Sequence, residues 1–207
     1  MYTARTPYFV QTVFKQLVWN IPTNQKIVYL TFDDGPTPIV TPWVLKTLDE
    51  FSAKATFFCV GKNTEEHSEI YQNILRQGHA VGNHTYHHLN GWKTNKRRYL
   101  LDIQKCAKRV ESQLFRPPYG RLRKVHYKEI KDKFSVVMWD VLSGDFDNRI
   151  SNEKCLRNVV DKVKRGSVVV FHDSLKAESK IRYVLPKVLE TLSGKGYQFK
   201  AITSDLI

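Results

Sequence analysis

Two short segments carry side chains that could bind a metal ion and hydrolyse a substrate. Residues 84–88 read HTYHH, so His84 and His88 lie four apart, and one helical turn would bring them to one face at a chelating distance. Asp33 and Asp34 follow an apolar run and precede a Gly-Pro turn, which would fix both carboxylates. Because adjacent side chains diverge, one carboxylate could bind a metal while the other acts as a base. One Asp and two His form a ligand set for a hydrolytic divalent metal.

Three more polar residues follow predicted strands further along the chain. Arg116 follows the fourth strand, Asp145 the fifth and His172 the sixth. Because the carboxyl ends of parallel strands converge on one side of a barrel, we expect these side chains to meet the aspartates and histidines there. Taken singly, each has an ordinary alternative: Arg116 as a surface cation and His172 as a core histidine.

The elements that must position these residues alternate between apolar strands and helices. This pattern predicts an α/β fold with a parallel sheet, and the continuous apolar character of the strands predicts burial on both faces. The predicted strands are 27–32, 55–60, 80–82, 114–115, 136–139, 168–171 and 197–202. The predicted helices are 42–51, 63–77, 94–113 (capped by Thr94), 122–133, 152–164 (capped by Ser151) and 181–192. An open doubly wound sheet and a closed barrel both fit.

Composition indicates a folded chain that prefers anionic partners. Hydrophobic residues make up 42% of the 207 residues, which excludes a disordered chain. The net charge of +13 favours nucleic acid, anionic lipid or an acidic cell-wall polymer. Many of the cations lie on or near the third predicted helix, and such a run is usually a solvated face. They are Lys93, Lys96, Arg97, Arg98, Lys105, Lys108 and Arg109.

The cysteines and the N-terminus add predictions about compartment. Cys59, Cys106 and Cys155 lack the CxxC spacing of a zinc or redox site, and we predict that they are buried thiols. The first 20 residues lack the apolar core of a signal peptide, and no apolar run reaches the roughly 18 residues of a membrane span. These features predict a cytoplasmic location, or the cell envelope if a leader is missing.

The motifs together resemble those of the polysaccharide deacetylases with a NodB-homology domain, carbohydrate esterase family 4. In order they are TFDDGP at 31–36, HTYHH at 84–88, RPPYG at 116–120, DF at 145–146 and VFH at 170–172. The resemblance covers about Lys26 to Ile202 and implies a distorted (β/α) barrel of seven to eight parallel strands. It makes 27–207 the catalytic domain and leaves 1–26 as an N-terminal extension packed on the barrel.

The resemblance also implies how this site would activate water. Asp33 is similar to the family's catalytic base, and Arg116 to the cation that keeps it ionised. The implied metal ligands are Asp34, His84 and His88. Thr85 would form a hydrogen bond within the loop and so fix the histidine pair. By ligand type the metal would be Zn²⁺, and Co²⁺ or Ni²⁺ also suit such a site.

The remaining implied roles concern the substrate. The backbone N–H of Tyr119, next to Pro118, would bind the oxyanion. His172 is similar to the family's general acid, oriented and charged by Asp145. Phe146 replaces a Trp common in the family, and Leu142 replaces an Asp that often opens the same motif. Val170 stands where Leu is common. We therefore expect a groove of altered shape.

The implied function is metal-dependent hydrolysis of the acetamide of N-acetylated sugars, as in peptidoglycan or chitin-like oligomers, to acetate and a free amine. Two alternatives stay open. An O-acetyl esterase acting on a polysaccharide such as xylan would need the same water and oxyanion site. A non-catalytic basic protein that binds glycan or nucleic acid would explain the charge, but the complete motifs disfavour nucleic acid as the partner.

Overall fold

A curled parallel sheet forms the centre of the computed structural model, which describes residues 3–206. Its strands are β1 (Ile27–Asp33), β2 (Thr56–Cys59), β3 (Ala80–Asn83), β4 (Leu114–Phe115), β5 (Ser135–Val136), β6 (Val141–Leu142), β7 (Val168–His172) and β8 (Gln198–Phe199). The order is β5-β4-β3-β2-β1-β7-β6, and β8 pairs with the start of β1. Every strand pairing within residues 3–206 is parallel apart from isolated bridges. The distorted barrel is confirmed.

Helices cover the outside of the sheet. They are α1 (Tyr8–Val13), α2 (Val40–Glu50), α3 (Gly61–Glu66), α4 (Ser68–Arg76), α5 (Lys96–Ala107), α6 (Lys124–Ile130), α7 (Asn152–Val160) and α8 (Glu178–Gly194). The predicted helix 63–77 is two helices, because the backbone of His67 is not helical. No helix within residues 3–206 combines the length and apolar character needed to cross a bilayer.

The helix caps were predicted with mixed success. The Ser151 hydroxyl accepts a hydrogen bond from the Lys154 N–H, which confirms the predicted cap of α7. The prediction for α5 was wrong by one residue: Asn95 accepts from the Arg98 N–H at 3.0 Å. The Thr94 hydroxyl instead donates to the Asn90 carbonyl at 2.8 Å.

Alternation along β1 decides which side chains reach the barrel interior. Val28, Leu30 and Phe32 belong to the core shared with the surrounding helices. Ile27 and Tyr29 belong to a separate cluster inside the barrel. Because side chains alternate between the faces of a strand, Asp33 at the end of β1 shares the interior face. All three cysteines are free and buried, as predicted.

One extended segment, residues 135–142, closes the barrel by pairing with both edges of the sheet. Its first half, β5, pairs with β4, and its second half, β6, pairs with β7. The sequence predicted a single strand at 136–139 and missed β6. The apolar run 136–139 extends past the end of β5 at Val136, and Asp140 separates it from β6, so the run does not show where β5 ends.

The N-terminal residues supply further backbone partners to this closing segment. They form bridges with Val137, Val141 and Ser167. The backbone hydrogen bonds are Val18 N–H to Val136 O (2.9 Å), Met138 N–H to Val18 O (2.6 Å), Thr6 N–H to Asp140 O (2.9 Å) and Leu142 N–H to Ala4 O (2.9 Å). Buried backbone groups need such partners, so this contact stabilises the barrel closure.

Trp19 provides a test of that contact. It is 9% exposed and packs in a cluster with Phe115, Val136 and Met138. Trp19→Ala is expected to lower the free energy of unfolding by about 3 kcal/mol, because it removes a large buried side chain. Urea denaturation measures the change, with Trp92→Ala, which removes a 51% exposed indole, as the control. Equal effects of the two substitutions would contradict a stabilising role for the N-terminal segment.

Candidate active site

The carboxyl ends of the strands bring the predicted residues to one cleft of about 490 Å³. Its lining includes Asp33, Asp34, His84, His88, Tyr119, Phe146 and His172. Two further residues lie behind this lining. Arg116 is fully buried beneath Asp33, and Asp145 is fully buried behind His172. These side chains therefore meet where the carboxyl ends of the parallel strands converge, as expected from the sequence.

Arg116 holds the first carboxylate from inside the barrel. Its Nη1 donates to Asp33 Oδ1 at 2.7 Å and to the Thr31 hydroxyl at 2.7 Å. Its Nε and Nη2 donate to the carbonyls of Val137 and Met138, in the middle of the closing segment. The guanidinium is fully buried, so these charge-assisted bonds compensate its lost hydration. Within residues 3–206, Asp33 Oδ2 accepts no hydrogen bond and stays available to a substrate.

Asp34, His84 and His88 form a group whose ligand atoms lie within 4.8 Å of one another. His88 Nε2 is 3.1 Å and His84 Nε2 is 3.7 Å from Asp34 Oδ1. His84 Nδ1 lies 2.7 Å from the Arg116 carbonyl, which can only accept, so Nδ1 carries the proton and Nε2 keeps its lone pair.

The protonation states of this group suit a divalent cation. Burial lowers the pKa of His84 to about 4, which keeps its ring neutral. Burial alone would raise the pKa of Asp34, but the hydrogen bond from His88 and the positive charge of His172 outweigh it and lower that pKa. Metal ligands must be neutral imidazoles and ionised carboxylates, so His84 and Asp34 are in suitable states, and His88 offers a third donor atom.

A strained loop, not the helical turn expected from the i, i+4 spacing, brings the histidines together. Thr85 and His88 have φ of 60° and 55°, in the left-handed region. The Thr85 hydroxyl accepts from the Leu89 N–H at 3.1 Å, which closes the loop around His88. The helical expectation was wrong because β3 runs directly into this loop, and α5 begins only at Lys96.

A buried aspartate that the sequence analysis did not single out anchors the same loop. Asp102, on α5, accepts from the backbone N–H groups of Tyr86 and His87, both at 2.9 Å, and lies 2.5 Å from His87 Nδ1. Its only sequence signal is that it is the single acidic residue in a basic helix. Tyr86 is buried and its hydroxyl donates to Glu65, so it cannot stack on a sugar.

A second aspartate, Asp173, which directly follows β7, holds the turn after Asp33. It accepts from the Gly35 N–H at 3.0 Å and from the Thr41 hydroxyl at 2.5 Å. A Cβ on residue 35 would lie 2.0 Å from Asp173 Oδ2, so only glycine fits there. Asp34 has a φ of 81°, which directs its side chain away from that of Asp33. Burial raises the pKa of Asp173 to about 7.

His172 and Asp145 face the metal-ligand group from the other side of the cleft. His172 Nδ1 is 2.8 Å from Asp145 Oδ1, and the His172 N–H donates to Oδ2 at 2.7 Å. Burial opposes protonation of His172, but the charge and hydrogen bond of Asp145 outweigh it and raise its pKa to about 9. The ring is therefore a cation at neutral pH, with Nε2 left for a substrate.

Tyr119 and Phe146 shape the remaining walls. Tyr119 follows the buried Pro118, has a φ of 61°, is exposed, and its ring centroid lies 4.7 Å from that of His88. The Phe146 ring meets His172 edge to face at 5.1 Å. Among residues 3–206, four of the six non-glycine residues with positive φ belong to this site: Asp34, Thr85, His88 and Tyr119. Strain of this kind is concentrated where side chains must point in fixed directions.

Comparison with known proteins identifies the family. The model of the polysaccharide deacetylase family matches residues 20–134. A peptidoglycan-N-acetylglucosamine deacetylase of Bacillus cereus is 32% identical over 194 residues, covering 90% of this chain and 91% of the relative. A chitooligosaccharide deacetylase of Azorhizobium caulinodans is 35% identical over 165 residues, covering 74% and 76% of the two chains.

Solved structures agree in fold. The crystal structure of the peptidoglycan N-acetylglucosamine deacetylase Bc1960 superposes with a TM-score of 0.87 at 32% identity and covers 95% of each chain. This agreement extends over the curled sheet that carries the five motif segments to one cleft. The chain therefore belongs to the polysaccharide deacetylase family.

Proposed function

We propose that this protein removes the acetyl group from N-acetylglucosamine units of a peptidoglycan-type glycan and releases acetate and a free amine. The observation that carries the proposal is that two sets of side chains face each other across one cleft. Asp33 is held by a buried arginine beside a three-ligand group, and a positively charged His172 lies on the other side. Similarity to peptidoglycan deacetylases over nearly the whole chain supports this substrate, and with it action at the cell envelope.

Asp34, His84 and His88 would hold the metal, and Zn²⁺ is the ion that we propose. Two neutral imidazole nitrogens and one carboxylate are a common catalytic zinc set, although Co²⁺ and Ni²⁺ accept the same donors. When bound, such an ion lowers the pKa of water and polarises an acyl oxygen.

The protein's own residues would then move the protons. Asp33 Oδ2 takes a proton from the attacking water, while Arg116 holds Oδ1 in place. The Tyr119 N–H donates to the developing oxyanion, and a donor of this kind typically contributes about 3 kcal/mol to the transition state. His172 Nε2 protonates the departing amine, because Asp145 holds Nδ1 and stabilises the cationic ring.

Acetate release from defined substrates tests the proposed reaction. The wild type is expected to release acetate from N-acetylglucosamine hexamers and peptidoglycan, but not from acetylated xylan. Asp33→Asn is expected to lower kcat by about 100- to 10,000-fold, because the amide cannot take a proton. Acetate from xylan alone would indicate an O-acetyl esterase, and no acetate from any substrate would indicate a binding protein.

The pH profile tests the pairing of His172 with Asp145. His172 must be protonated to act as an acid, so kcat/KM is expected to fall as the pH rises through about 9. Asp145→Asn removes the charge that raises this pKa, so the fall should begin at a lower pH. Phe146→Leu, which changes a ring contact with His172 but no charge, is the control. An alkaline limb that does not move in Asp145→Asn would exclude His172 as the acid.

Metal binding can be measured without activity. Dialysis against a chelator followed by elemental analysis after reconstitution is expected to give about one Zn²⁺ per chain. His84→Ala should lose stoichiometric binding, because it removes one of three donors. His67→Ala alters a histidine outside the cleft and should bind as the wild type does. Stoichiometric zinc in His84→Ala would mean that the ligand set is wrong.

A further inference from the structure

Two open grooves continue from the catalytic cleft. The first, of about 590 Å³, shares Asp34, His88, Ser174 and Lys176 with the cleft. The second, of about 440 Å³, shares His87 with the first and lies against α5. The three depressions therefore form a path from the catalytic carboxylates, across the histidine loop, to the basic helix that the proposed reaction leaves without a role.

The side chains along this path are strongly biased towards positive charge. The first groove is lined by Lys62, which pairs with Glu66 at 3.4 Å, and by Lys176, which also lines the cleft. The second groove is lined by Arg97, Arg98 and Lys105. Among residues 3–206, the carboxylates that line either groove are Asp34, assigned to the metal, and Asp102. Asp102 is buried, and its carboxylate already accepts hydrogen bonds from the backbone of the histidine loop. It therefore contributes little negative charge to the surface that a ligand would contact.

Several of these cations are free to bind. Within residues 3–206, no carboxylate lies within ion-pair distance of Arg97, Arg98 or Lys176, and all three are exposed. Their neighbours differ: Lys96 is paired with Glu129, and Arg109 with Glu65. Arg97 and Arg98 of α5 thus line the groove without a carboxylate partner, whereas the paired Lys96 and Arg109 do not line it.

We propose that this path binds a glycan strand bearing carboxylates, with Arg97 and Arg98 pairing with the acidic groups of units beyond the one being deacetylated. The inference rests on the proposed function and deepens it, since it makes the preferred substrate an anionic glycan and not a neutral chitin-like one. Guanidinium groups suit this role because they bind carboxylates through two parallel hydrogen bonds.

Nucleic acid fits the same surface less well. Proteins that bind single strands commonly stack bases on aromatic rings. Neither groove is lined by Phe, Tyr or Trp in the described chain. The path also begins at the catalytic cleft, so a bound polymer would present its units to Asp33 and His172.

Two hexasaccharides of equal length test the proposal: a neutral N-acetylglucosamine oligomer, and a peptidoglycan strand in which alternate sugars carry a lactyl carboxylate. Arg97→Gln/Arg98→Gln is expected to reduce kcat/KM for the anionic strand about fivefold relative to the neutral oligomer, mainly through KM, since solvated ion pairs are individually weak. The preference of the wild type for the anionic strand should decrease with added salt.

The control is Lys46→Gln/Lys187→Gln, which removes the same net charge from exposed positions on α2 and α8 outside the grooves. It should keep the wild-type ratio. An unchanged ratio in Arg97→Gln/Arg98→Gln, or an equal fall in the control, would overturn the proposal.

Direct binding separates failure of this inference from failure of the proposed function. Fluorescence anisotropy with the labelled anionic strand should show weaker binding by Arg97→Gln/Arg98→Gln even if no acetate is released from any glycan. Equal affinity of the variant and the wild type would refute the anionic path. Tighter wild-type binding to a single-stranded oligonucleotide, lost in the same variant, would also refute it and make the surface a nucleic-acid site.

Discussion

The buried ion pair between Arg116 and Asp33 joins the closure of the barrel to its chemistry. A buried guanidinium must have all its charge compensated, and Arg116 finds partners in one carboxylate, one hydroxyl and two carbonyls of the closing segment. Those carbonyls belong to Val137 and Met138, where the segment leaves β4 and has not yet joined β7. The Arg116 carbonyl in turn fixes the tautomer of His84. One residue therefore completes the barrel wall, holds the carboxylate that we propose as the base and orients His84, a proposed metal ligand.

The rest of the site depends on loops that are anchored from behind. Asp173 holds the turn at Gly35, Asp102 holds the histidine loop, and Asp145 holds His172. Each is a buried carboxylate that accepts backbone N–H groups, and such groups lose free energy if left unpaired. The hydrogen bonds to these carboxylates offset the free-energy cost of the left-handed backbone conformation at Asp34, Thr85 and His88. The cleft is thus preorganised before any ligand binds.

The structure shows which of the excess cations are paired on the surface and which line a groove. Part of the positive charge is neutralised by surface pairs such as Lys96 with Glu129, which contribute little to stability. Arg97 and Arg98 have no such partner in the described chain and line a groove that leads to the catalytic cleft. Part of the +13 charge therefore lies along the substrate path that we propose.

The sequence by itself determined the motif residues of the site, the parallel α/β character and the Ser151 cap, because these depend on local pattern and on motifs. It also identified the strand before each motif residue except Asp145, which follows the β6 strand that the sequence missed. The barrel came from the resemblance of the motifs, since the pattern alone fitted an open sheet equally well. The tertiary structure decided what local pattern cannot encode. Both carboxylates of Asp33-Asp34 look alike in sequence, and only Arg116 on one side and the histidines on the other give them different surroundings. The HTYHH segment is a strained loop because Asp102, distant in the chain, holds it. Likewise, the end of β5 is set by which strand edge is within reach, and a continuous apolar run carries no record of that distance.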